Sequence, residues 1–370
     1  MLTVLGATYP YYVRQEYLTP NSLTPTLTIT GNGLPPAVAE KNSQGQFVIP
    51  NGEFIRGVAH NWKNQKVSQY SFDIERQLTS KLVFGVGYLG VYGGNDPITI
   101  NINQAPPSTN PNINYNQNRP LYSEYPNLTD IPISESIGFS NYNALTATAH
   151  GTVARDFQVF ATFAYSRAFA NGFNTNQLDI NQYKGPTQAD IPVVFNAQLV
   201  YQLPFGKGHP FLSNPGPLLN GIIGGWQATA FVSLHSGPPF TVLTPVSLLN
   251  NGQANRPNIV PGCNPNLSHR TTTEWFNTSC FVNDLVPGTY GTEGTNLVRA
   301  DGLQQVNLSM LKEFKYGERW SLQFRGDFQN LFNHPNYGLP DLNVGDPSMG
   351  AVTSASVNAR IIQLGLKLSF

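Results

Sequence analysis

From residue 66 onward, apolar and polar side chains alternate with a period of two over many segments, the pattern of a β-strand with two unlike faces. The C-terminus shows it best. Ile362, Leu364, Leu366, Leu368 and Phe370 share one face, opposite Ile361, Gln363, Gly365, Lys367 and Ser369. Trp320, Leu322, Phe324 and Phe328 oppose Ser321, Gln323, Arg325, Asp327 and Gln329 in the same way. Further runs follow Phe157–Tyr165, Val193–Leu203 and Trp226–Leu234. Weaker ones fall at Tyr70–Ile74, Leu82–Tyr88, Leu145–Gly151 and Val306–Phe314. The pattern predicts about nine strands of roughly ten residues each.

That length separates two kinds of sheet. Globular strands average about 5–6 residues, whereas a tilted membrane-spanning strand needs about 9–11. The connections separate them further. Strands near 67–78 and 81–92 are joined by a few residues, as are 140–153 and 157–169 (through Arg155-Asp156) and 303–315 and 319–332 (through Tyr316-Gly-Glu). Between these pairs lie the polar stretches 93–139, 170–192, 237–302 and 333–358, with 204–225 intermediate in length. Short turns at one end and long loops at the other are the layout of an outer-membrane barrel. The expected fold is therefore all-β: an antiparallel transmembrane β-barrel, partial at nine or ten long strands, with short periplasmic turns and long extracellular loops. Tyr70, Tyr92, Trp226, Trp320 and Phe370 are candidates for its aromatic girdles.

Composition agrees. Only 11% of the 370 residues are charged, against about 25% in soluble domains. A lipid-facing wall avoids charge, and 39 Asn, 34 Gly and 29 Pro supply uncharged turns. Lys and Arg balance Asp and Glu at 21 each, which removes the electrostatic case for a nucleic-acid partner. No apolar run is long enough for a membrane-spanning helix, since Leu218–Trp226 is interrupted by Asn220, Gly221, Gly224 and Gly225. The first ten residues lack the basic region of a signal peptide, the first cation being Arg14. Cys263 and Cys280 lie 17 apart in a polar stretch without a second pair to complete a zinc site. They suit a loop disulfide in an oxidising compartment, or else two unpaired thiols.

Catalytic and cofactor motifs are not found. Gly85-Val-Gly-Tyr-Leu-Gly90 matches the dinucleotide-binding string, but it lies within an alternating strand rather than at the start of a helix. The six His residues are dispersed, so no cofactor, metal site or enzymatic activity is expected. Asp341, Asn343 and Asp346 cluster without the spacing of a calcium loop. Arg325 and Asp327, with Glu313 and Lys315 nearby, fall on the inferred lumen face, where they would contact a plug or pair with neighbours across strands.

Several stretches, in this order, carry a family resemblance: Ser140-Asn-Tyr-Asn-Ala-Leu, Tyr201-Gln-Leu-Pro-Phe-Gly-Lys-Gly, Gly224-Gly-Trp-Gln, Ser236-Gly-Pro-Pro-Phe-Thr-Val, Arg256-Pro-Asn and Trp275-Phe-Asn-Thr with Phe281. The most specific is Phe324-Arg-Gly-Asp-Phe-Gln-Asn-Leu-Phe-Asn-His-Pro-Asn-Tyr-Gly, and Ile362-Gln-Leu-Gly-Leu-Lys-Leu-Ser-Phe closes the series. From about Lys66 to Phe370 the chain resembles the β-barrel region of Oar-like TonB-dependent outer-membrane receptors. The resemblance implies substrate uptake across a bacterial outer membrane, energised through TonB. It also implies a plug and a TonB-contacting segment that are not recognisable in this sequence, so the chain is expected to be the C-terminal part of a longer receptor, meeting TonB only through the missing N-terminal part, or else the product of a truncated gene. Residues 1–60 would form an extracellular loop or irregular segment, and 61–370 the C-terminal part of the barrel.

The other expected partners are outer-membrane lipid and the barrel-assembly machinery. That machinery would read an alternating last strand ending in an aromatic, here Leu366, Leu368 and Phe370. Residues 101–130 hold many Asn, Pro and Tyr but few charges, so Tyr115, Tyr122 and Tyr125 are candidate contacts for a neutral polar solute such as a glycan or peptide. The alternative is a non-transporting surface or adhesion protein, or a passive porin-like barrel. If the chain forms a partial barrel, its first strand near 67–78 should be an open edge.

Overall fold

A computed structural model describes residues 41–370 apart from 46–47, 50, 54, 172–175 and 318. Most of the 1–60 segment, including its alternating run at Thr26–Thr30, lies outside the described residues. The alternating runs become nine long strands: β1 (Lys66–Thr79), β2 (Leu82–Asn101), β3 (Pro132–Ala154), β4 (Phe157–Ala170), β5 (Val193–Gln202), β6 (Trp226–His235), β7 (Leu303–Tyr316), β8 (Trp320–Gln329) and β9 (Ile361–Ser369). Each pairs antiparallel with its sequence neighbours, so the sheet order is the chain order. β1 and β9 end the sheet and do not pair with each other. The barrel is partial and open, and all 14 residues of β1 are exposed on both faces.

The register lines up one apolar face across the whole sheet. Ile74 lies opposite Val86, Val86 opposite Ala147, Ala147 opposite Phe163, and Phe163 opposite Phe195. The line continues through Leu234, and lower down Leu308 meets Phe328 and Phe328 meets Ile362. The opposite face carries Asp73, Glu75, Thr146, Thr148, Thr162, Asn196, Gln198, Ser233, Asn307 and Ser309. A lipid-facing wall and a polar lumen wall explain this division without an interior core.

Aromatics border the apolar face at two levels. Phe157 stacks edge-on with Tyr201 and Trp226 with Phe324, while Trp320 tilts against Phe370 near the periplasmic turns. Tyr70 and Tyr88 lie farther toward the loops, and both hydroxyls donate to Asn143 Oδ1. Tyr70 is thus not at a strand end; it sits mid-strand, where Gly90 makes room for its ring.

Two parts of the chain depart from the sequence reading. The 93–139 stretch is not all loop, because β2 continues to Asn101 and β3 begins at Pro132, carrying this hairpin well past a membrane's thickness. Alternation does not show there because the ladder shifts register between Gly94 and Pro97, with Asn95 at a left-handed φ of 58°. Such a bulge admits a proline into a strand. The 204–225 connection contains a short helix, α1 (Pro217–Ile223), with proline in its first turn. The tight turns need left-handed residues and have them at Asp156 and Gly317.

The buried hydrophobic core lies outside the wall. Phe240, Val242, Trp275, Phe276, Cys280, Phe281, Val298, Ala300 and Val344 form it, all from the long loops.

Candidate functional site: an extracellular loop cap

Four long connections lie on the extracellular side: 102–131, 171–192, 236–302 and 330–360. The third is the hub. Pro239–Phe240 pairs with Val298–Arg299, and Asn258–Ile259 pairs with Phe281–Val282, folding this loop into two small ladders. Phe276 packs edge-on against both Phe240 and Phe281 at centroid distances of 5.7 Å. Cys263 and Cys280 are disulfide-bonded beside it, with Cα atoms 5.5 Å apart. Backbone passes so closely here that a Cβ on Gly291 would lie 1.9 Å from Arg256 O, so only glycine fits.

The other loops are tied to this hub. Ser108 N donates to Leu249 O (2.9 Å), and Gln104 Nε2 donates to the Tyr290 hydroxyl (3.1 Å). From the fourth loop, Val344 N donates to Leu243 O, and its Gly350 O accepts from Trp275 N. The second loop inserts Tyr183, which is buried and donates to Gly291 O at 3.0 Å. The Arg256 guanidinium lies 3.9 Å above the Tyr183 ring and donates to Thr295 Oγ1.

At the rim, Asp190 is buried and accepts from Ala168 N of β4 at 2.7 Å. It forms an ion pair with Arg299, which also donates to Asp190 O and Gly237 O. Arg167 stands 3.5 Å from the same carboxylate. One carboxylate therefore fastens two loops to the end of the wall. In the first loop, Arg119 pairs with Asp130 at 2.7 Å and donates to Asn103 O.

Burial shapes the electrostatics of this cap. Glu293 is fully buried; Oε1 accepts from Val242 N at 2.8 Å, and Oε2 has no hydrogen-bond partner among the described residues. Desolvation pushes its carboxyl up to about 8, against the opposing pull of the Val242 amide and Arg256. The same cause pushes the Tyr183 phenol up to about 12, offset in part by Arg256, and lowers the Arg256 guanidinium. The carboxyl is thus protonated at neutral pH.

Of the three candidate contact tyrosines, Tyr115 and Tyr125 expose their rings and Tyr122 is half-buried. No ring contact joins them among the described residues. Arg119 lies 5.7 Å from the Tyr115 ring centroid, and Tyr115 packs over Gly252 of the hub. Leu366, Leu368 and Phe370 lie on the lipid-facing side of the last strand, opposite Phe324, Leu322 and the Trp320 ring. Asp341 is a turn staple: Asn343 N and the Ser348 hydroxyl donate to it, the latter holding its carboxyl below the usual range. Among the described residues no three His, Cys, Asp or Glu side chains converge on a metal position. Gly85 and Gly87 sit inside β2 against Glu75 and Asp73, away from any helix start. Arg325 pairs with Asp327 and Lys315 with Glu313, in both cases along one strand rather than across the ladder.

The sequence reading did not find Tyr183, Asp190, Glu293 or Arg299. Arg256 and Trp275 were visible only as loop landmarks, and no local pattern announces a partner about a hundred residues away.

The model of a family described as "Outer membrane beta barrel domain" matches residues 2–363. No curated protein sequence matches the chain. Among solved structures, the ferric preacinetobactin receptor BauA of Acinetobacter baumannii is similar at 10% identity and a TM-score of 0.43, over 83% of this chain and 30% of that one. The outer membrane transporter YddB of Escherichia coli gives 10% and 0.43, over 88% and 35%. The ferric-catecholate import receptor Fiu of E. coli K12 gives 10% and 0.42, over 84% and 29%. The chain spans about a third of the length of these structures.

Proposed function

This chain belongs to the outer membrane beta barrel domain family and resides in the outer membrane, and from that premise we propose that it is the barrel portion of a TonB-dependent receptor that takes up a solute across that membrane. One observation carries the reading: the extracellular loops are not loose but share a packed core and buried ion pairs above a polar-walled lumen. A barrel that serves only as an open hole does not need an ordered lid. Coupling to TonB belongs to the whole protein and is part of the proposal.

The proposed solute is neutral and polar. The charges that tie the cap are matched inside it, Asp190 to Arg299 and Arg119 to Asp130, and the buried Glu293 carboxyl is held toward its neutral form. Tyr115 and Tyr125 offer exposed rings in a stretch rich in Asn and Pro. Their faces suit sugar rings or uncharged peptide. Titrating the refolded protein with neutral oligosaccharides and uncharged peptides by calorimetry tests this. Binding should change little between low and high salt, and Tyr115→Ala with Tyr125→Ala should weaken it by about tenfold. Steep salt dependence would overturn the neutral-ligand reading. Steady single-channel conductance in planar bilayers, without binding, would favour the passive porin-like alternative.

A further inference from the structure

The lipid-facing wall is indented at β8. Gly326 of β8 is buried, and the absence of a side chain there opens a groove of about 290 Å³ on the outer surface. Trp226, Met310, Phe324, Phe328 and Leu364 line it, all on the apolar face, and Leu203 closes one end. Its lining is apolar throughout.

α1 meets the periplasmic end of this groove. Lys312 occupies an apolar-face position between Trp226 and Phe324, where a bare cation would be unfavourable. It is buried, and its ammonium donates to Ile222 O (3.0 Å) and Gly224 O (2.6 Å), with the Phe314 ring 4.9 Å away. Trp226 Nε1 also donates to Ile222 O. The carbonyls that end a helix are thereby satisfied by a cation, and α1 is tied to the lipid side of the wall. Its outward side chains remain bare, Leu218 at 88% and Ile222 at 68% exposure. They extend the lipid-facing surface around the groove's mouth, as an interfacial helix does.

We infer that the groove at Gly326 holds one acyl chain of a phospholipid from the periplasmic leaflet, with α1 lying among the headgroups beside it. The occupant follows from continuity: the groove opens from the wall that faces lipid, and its lining offers no polar partner. This site is independent of whatever the cap binds.

The test uses the full chain reconstituted in phosphatidylethanolamine–phosphatidylglycerol vesicles. Native mass spectrometry after extraction should show one retained phospholipid. A Cβ at position 326 would meet Leu364, Phe328 and Phe324 at 3.4–3.9 Å, ordinary contact distances, so Gly326→Ala keeps the wall while shortening the groove. Each methylene excluded lowers occupancy about fourfold, and Gly326→Leu should lower it by at least about tenfold. In vesicles with brominated acyl chains, Trp226 should be quenched more strongly than Trp320, which lies against Phe370 outside the groove; Trp226→Phe and Trp320→Phe separate the two signals. Equal retention in the wild type and both variants would overturn the inference, as would equal quenching at the two tryptophans. A second copy of the chain or detergent alone in the groove would also overturn it. If Gly326→Leu fails to fold, Gly326→Ala and the quenching comparison still decide.

Discussion

The wall and the cap of this barrel are built on opposite plans. The wall is regular, bonded strand to strand, and shows its large apolar residues to the outside; Leu145 and Leu364 are more than half exposed. The cap is irregular, yet it contains Val242, Phe276 and Val298, which are fully buried. In a membrane the lipid replaces the interior as the place for apolar side chains. The part that stands in water must make a core of its own, and here the loops do so.

The first way to break this division is Phe276→Ala. Removing a buried aromatic costs about 3–5 kcal/mol, so cap loops should become protease-sensitive while the wall keeps its resistance to SDS before heating. Loss of both together would show that the two regions are one cooperative unit. The converse is Val86→Arg on the lipid face. An arginine there costs about 2–4 kcal/mol and should lower the urea midpoint of the wall without exposing cap cleavage sites.

Proton binding gives a finer distinction. The Glu293 carboxyl titrates near 4.5 when unfolded and is raised to about 8 in the cap. Below about pH 4.5 both forms hold the proton, so burial carries no ionisation penalty. Between 4.5 and 8 the open cap releases it and the closed cap does not, so cap stability falls as pH rises through that window. Hydrogen exchange of cap amides across this range should show the fall, and Glu293→Gln should flatten it. The wall amides should not follow this titration.

The same division sorts what could be read from sequence. Wall strands declare themselves because alternation is local: Trp320 to Phe328 predicts its own faces without its partner. Nine strands, their apolar side and the open first edge were legible in that way. The upper part of β2 was not, because the bulge at Asn95 breaks the period and Pro97 reads as a loop residue. Nor was the place of Lys312, whose lipid-facing position is unfavourable to a cation until α1 supplies its carbonyls. The cap was almost wholly hidden. Tyr183 meets Gly291 across 108 residues, and Glu293 looks like any polar loop residue until the chain closes over it.

The sheet order has a consequence in time. The nine long strands pair in chain order, and the hairpins β1–β2, β3–β4 and β7–β8, closed by tight turns, need only a short search to form, whereas β6 and β7 must close across the 236–302 loop. The cap joins Asp190 to Arg299 across 109 residues and Gln104 to Tyr290 across 186, separations that carry a larger closure entropy in a free coil than the tight turns do. Once the strands are paired, their ends hold those loops side by side at the rim, and the search collapses. The topology thus favours assembly outward from the tight-turn hairpins, with the ties between different cap loops closing on a frame that has already brought their ends together.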